Sequence, residues 1–149
     1  MTAIASATET QSFTITHEIH VRSSLKATFA ALLEQLGPGN ETHDGKPLPM
    51  KIEPYPGGRW FRDLGDDNGH FWAHVQAIKR PTLVELTGPL MMSSPTVSNI
   101  QYRLTEVEGG TLITFRHTSL GLIPEGFRDG FSQGWIHTLD QTRRRAESV

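Results

Sequence analysis

Cysteine is absent from the 149 residues, which excludes disulfides, thiolate metal sites and cysteine nucleophiles and suits a reducing compartment. Charge of one sign is lacking too. Lys and Arg number 14 against 16 Asp and Glu, a net charge of −2 with histidines neutral, so the basic excess that marks a phosphate-backbone partner is missing and nucleic acid is not expected. No apolar run approaches the length that spans a bilayer, and residues 1–11 have neither the basic start nor the apolar stretch of a signal peptide. The expected location is therefore the cytoplasm. Glycine-rich phosphate loops, nucleophile elbows and clustered zinc motifs are missing as well, so no cofactor and no metal is expected.

What is present reads as one domain over residues 12–149 behind a mobile tail, 1–11, rich in Thr, Ala and Ser. Phe13, Ile15, His17, Ile19 and Val21 alternate with polar residues and predict a strand carrying one histidine on its apolar face. Ser23 or Ser24 can cap a short amphipathic helix over 25–36, ended by Gly37 and Pro38. Residues 37–49 hold helix breakers without a hydrophobic rhythm, the composition of a loop that forms a lid or rim. Beyond them, turn signals at 56–58, 65–69, 80–81 and 108–110 separate strands at 50–54, 59–64, 70–79, 83–87, 100–105 and 112–117. That succession is an antiparallel meander and makes the class α+β.

The closing segment, 124–149, predicts a long helix that begins at Pro124. Phe127, Phe131 and Trp135 recur at every fourth position, with Ile136 and Leu139 widening the stripe. Gly126, Gly130 and Gly134 follow the same spacing on a neighbouring line, each at about 1 kcal/mol relative to Ala in a helix interior. Close approach to a strand backbone or room for a ligand would each account for them. Arg143, Arg144 and Arg145 read first as a solvated C-terminal turn.

Seven histidines invite a metal reading that their spacing refuses. His17 and His20 fall on opposite strand faces, and His70 and His74 share a face roughly 13 Å apart. Arg59, Arg62 and Asp63 beside Trp60 read as surface ion pairs or, alternatively, as a clamp on a polar ligand group.

The Pro56-Gly57-Gly58-Arg59-Trp60 turn, the 69–75 strand, the Gly109-Gly110-Thr111 turn leading to Phe115-Arg116-His117, and the late Gly134-Trp135 resemble, in that order, the START-like helix-grip superfamily, also called SRPBCC or Bet v 1-like. More narrowly, residues 12–145 look like the group named after the C-terminal domain of the Hsp90 ATPase activator. The resemblance implies a seven-stranded antiparallel sheet wrapped around the C-terminal helix, an apolar cavity between them, and one or two short helices between the first two strands. It also implies that the first and last strands are neighbours, which would bring His17 and His117 together as buried core histidines, polar cavity walls or acid–base catalysts. Burial would favour their neutral form.

The expected ligand is a small apolar or aromatic molecule, a lipid included. The expected contacts are His17, Trp60, Trp72, Tyr102, Phe115, His117, Phe127, Phe131 and Trp135. The alternative is a polyketide aromatase/cyclase using His17 or His117 as the catalytic group; a chaperone-associated role, implied only by the family name, ranks third. Oligomeric state stays open, a homodimer included.

Overall fold

The strand alternation and the helix signals set the architecture. In the computed structural model, which describes residues 8–90 and 92–149, the order is β1 (Gln11–Val21), α1 (Leu25–Leu36), β2 (Lys51–Ile52), β3 (Arg59–Gly65), β4 (Asn68–Lys79), β5 (Leu83–Gly88), β6 (Thr96–Val107), β7 (Gly110–Gly121) and α2 (Phe127–Glu147). The tail expected over 1–11 falls, for 1–7, outside the described residues, and Gln11 already pairs in β1. The strands form one antiparallel sheet in the order β1-β7-β6-β5-β4-β3-β2, so the first and last strands are neighbours.

Register follows the alternation. Ile15 lies opposite His117, His17 opposite Phe115, and Tyr102 opposite Phe115, which puts the apolar positions of β1, β6 and β7 on one inner face. Irregular pairing at Trp60/Phe61 and Val75/Ala77 bends the sheet on its β3–β4 side. Asp66 and Asp67, both at positive φ, make the two-residue turn between β3 and β4, a backbone that Asp tolerates better than bulkier residues. At the β6–β7 turn a Cβ on Gly110 would stand 2.0 Å from the Val21 carbonyl oxygen, so only glycine fits there.

Helix α1 is capped as expected, with Ser24 Oγ accepting from Ala27 N at 3.1 Å and Gly37 at its C-cap. Three expectations need correction. Helix α2 begins at Phe127 and not at Pro124, because Gly126 takes a left-handed conformation (φ 87°) that breaks any helical run from Pro124. Ile136 is 53% exposed, and Thr138 and Thr142 occupy the inner positions instead. One residue past Trp135 is a 100° rotation away from the core side, and the two threonines bond back to Gly134 O and Thr138 O, which makes their burial affordable. The strand expected over 50–54 shrinks to Lys51–Ile52, since Met50 N is spent on Gly37 O and Pro54 has no N–H.

Only one helix lies between β1 and β2. Residues 37–49 form a closed loop instead, with Leu48 N and Asn40 Nδ2 bonding Asn40 O and Leu48 O and a bridge between Glu41 and Pro47. This loop, the β3–β4 side of the sheet and α2 bound the space described next.

Candidate functional site

Helix α2 lies across the inner face of the sheet with Phe131, Trp135 and Leu139 buried against it. Between α2, Trp60 and Trp72 of the sheet, and the 37–49 loop opens a cleft of about 510 Å³. Its helix wall consists of Gly126, Gly130 and Gly134 together with Phe127, Phe131, Trp135 and Thr138. Its rim on the loop side is Asn40, Glu41, Thr42, His43 and Leu48. The floor is buried and the mouth is open: Trp60, Trp72, Phe131 and Trp135 are at most 8% exposed, whereas His43 on the loop and Gly126 and Gly130 on the helix face solvent.

The glycine row has a clear meaning in this setting. A Cβ built on Gly126, Gly130 or Gly134 meets no atom within 4 Å. Close approach to a strand is therefore not the reason for these glycines. They face the cleft and leave its helix wall bare, as the second sequence reading required.

The aromatic floor is fixed by its N–H groups. Trp60 Nε1 donates to Leu36 O at 2.7 Å, tying the floor to the C-terminal end of α1, and the Trp60 and Trp72 rings meet edge to face at 5.0 Å. Phe131 and Trp135 lie nearly parallel, 6.2 Å apart. Trp135 Nε1 donates to His117 Nδ1 at 2.9 Å. An indole N–H can only donate, so His117 is neutral with its proton on Nε2, which donates to Ser98 Oγ at 2.9 Å; Ser98 Oγ then donates to Ser119 Oγ at 3.1 Å. His117 is fully buried, and burial pushes it down to about 4. Protonating Nδ1 would set two donors against each other.

Five of the nine expected contact residues, Trp60, Trp72, Phe127, Phe131 and Trp135, meet at this cleft. The other four stand off its walls. His117, Phe115 and Tyr102 are fully buried in the layer behind Trp135, and burial raises the Tyr102 phenol above its ordinary range. His17 stacks on Phe115 at 6.1 Å and is within 3.3 Å of Ser132 Oγ. His17 and His117 therefore share the inner face of two paired strands but do not pair with each other: His17 lies opposite Phe115 and His117 opposite Ile15, each engaged with its own partners. Sequence reasoning did not pick out the five rim residues or Thr138; the breaker-rich composition of 37–49 signalled a rim without saying which side chains would turn inward.

The charged clusters resolve as surface pairs. Arg59 binds Glu53 at 2.8 Å and holds its carboxyl down to about 2, Lys51 binds Asp63 at 2.7 Å, and Arg62 donates to Pro49 O. Arg143 and Arg144 pair with Asp140, and Arg145 reaches Gln35 of α1. Among the described residues no group of three or more His, Asp or Glu is arranged to hold a metal ion, and no helix is long and apolar enough to cross a membrane.

Solved structures share this fold. An uncharacterized protein from Rhizobium leguminosarum superposes with a TM-score of 0.72 at 18% identity over 95% of this chain and 98% of that one. Ara h 8.0201 gives 0.68 at 15% identity over 93% of this chain and all of that one. The di-domain ARO/CYC StfQ from the steffimycin biosynthetic pathway gives 0.66 at 14% identity, this chain covering 51% of its length. No curated protein matches the chain in sequence. The family model described as Activator of Hsp90 ATPase homolog 1-like protein matches residues 28–147. A curved seven-stranded antiparallel sheet gripping a long C-terminal helix, with that match over most of its length, makes this chain a member of the Activator of Hsp90 ATPase homolog 1-like family with a helix-grip fold.

Proposed function

We propose that this protein binds a small, largely apolar or aromatic molecule in the cleft between α2, the β3–β4 side of the sheet and the 37–49 loop. The observation that carries the reading is the bare helix wall. Gly130 and Gly134 forgo roughly 1 kcal/mol each of helix stability, and no packing contact within 4 Å offsets that loss. Trp60 and Trp72 of the sheet stand opposite them, and Phe127, Phe131 and Trp135 flank them on the helix, surfaces suited to an apolar ring or chain.

An enzymatic reading after the aromatase/cyclases has less behind it. Both nitrogens of His117 are committed to Trp135 and Ser98, and His17 lies off the cleft wall. Ligand-dependent thermal shifts over a panel of lipids and polyphenols test the binding reading. A ligand at about 100 times its Kd stabilises the native state by ~2.7 kcal/mol, a rise in Tm of about 5–10 °C for a chain of this size. A panel without any shift would count against it.

A further inference from the structure

Not one of the residues lining the cleft is Lys or Arg, and its single ionisable acid is Glu41, on the rim. Glu41 is held in place from the opposite side: its Oε1 accepts from His137 Nε2 of α2 at 2.7 Å, and a quarter of the side chain remains exposed. The loop around it is closed by the Asn40–Leu48 hydrogen bonds, so the carboxylate is presented at a fixed place above the aromatic floor. A carboxylate has a second oxygen, and Oε2 is free to accept from a ligand once Oε1 is taken. Arg145 of the C-terminal turn donates to Gln35 Oε1 of α1 and does not line the cleft.

We propose that the cleft selects its ligand by charge as well as by shape: it takes a planar aromatic amine in its cationic form, with the ring system on the tryptophan floor and the nitrogen at Glu41, and it discriminates against carboxylate ligands such as fatty acids. Two physical terms act in the same direction. A cation over indole faces is attracted by the ring quadrupole, and an ammonium beside a partly buried carboxylate gains a charge-assisted hydrogen bond. An anion meets like charge at the mouth and no cation inside to compensate. The inference rests on the binding reading above and adds the ligand's charge to it.

Three ring systems of one size separate the two ideas: 9-aminoacridine as the cation, acridine as the neutral ring and anthracene-9-carboxylate as the anion, each titrated at about pH 8, where acridine is uncharged. The expected order is cation, then neutral ring, then anion, with steps of about two- to fivefold in Kd, the size of one partly exposed charge pair. Glu41→Gln keeps the shape and the His137 contact; it weakens 9-aminoacridine by the share of the preference that the carboxylate supplies and leaves acridine unchanged, while the attraction of the cation to the indole faces persists. Equal affinities for the three probes, or a 9-aminoacridine affinity that Glu41→Gln leaves unchanged, would overturn the charge inference and leave the cleft reading standing. No binding by any of the three, with the native Tm intact, would remove both.

Discussion

Replacing Gly134 with Ala tests the meaning of the glycine row most cleanly. The methyl group enters open cleft, with nothing within 4 Å of it, so no clash opposes the gain in helix propensity. That gain is about 1 kcal/mol, or a rise in Tm of roughly 2–4 °C. Gly130→Ala also meets nothing within 4 Å and has the same expected gain of about 1 kcal/mol, and the double variant should exceed either single one. Gly126 provides the internal control. It also has open space around it, but its φ of 87° is left-handed, and Ala there should lose roughly 1–2 kcal/mol. Urea titrations of the four variants, read by far-UV circular dichroism, give the signs directly. Destabilisation by Gly134→Ala would refute the reasoning, because it would mean that the helix surface is packed where the cleft is placed. A bulkier Gly134→Leu, whose side chain leaves the helix into the open cleft, should abolish ligand binding without unfolding the protein.

Acid should destabilise the fold through His117. Its folded value, about 4, lies below the unfolded 6.5, so on acidification the unfolded chain takes up the proton first. The contribution is complete above pH 6.5 and lost as pH falls toward 4, up to about 3 kcal/mol in all, and His117→Gln should flatten that part of the pH–stability curve in urea titrations. Trp60→Phe removes the donor to Leu36 O and should cost about 1–3 kcal/mol by denaturant titration, the penalty of a buried acceptor left unpaired. Ser24→Ala should cost about 1 kcal/mol by the same measurement, through loss of the α1 cap.

Much of the fold was legible because its signals are local. The alternation in 13–21, 100–105 and 112–117 fixes which side chains share a face, and the register Ile15 to His117 follows once the strands pair. Ser23 or Ser24 on one side and Gly37 on the other bracketed α1, and the structure puts the cap on Ser24. The start of α2 was misplaced because Pro124 gives a strong local signal, while the left-handed Gly126 that interrupts it depends on how the chain leaves β7. The aromatic half of the cleft showed in the spacing of Phe127, Phe131 and Trp135. Its polar half did not, because the Glu41–His137 contact joins residues 96 apart and the inward turn of Asn40 depends on a bond to Leu48. The glycine row was visible as a pattern, but its reason lies in what stands across from it, and that is a tertiary fact.

All three tryptophans of the chain line the cleft, so an aromatic molecule bound there must alter their emission. Titrating 9-aminoacridine into the wild-type protein and into Gly134→Leu, with tryptophan fluorescence corrected for absorption, is the most direct measurement. Saturable quenching in the wild type that disappears in the variant, with the variant's Tm retained, is the predicted result. Quenching of equal depth and midpoint in both proteins would place the ligand elsewhere and contradict the account.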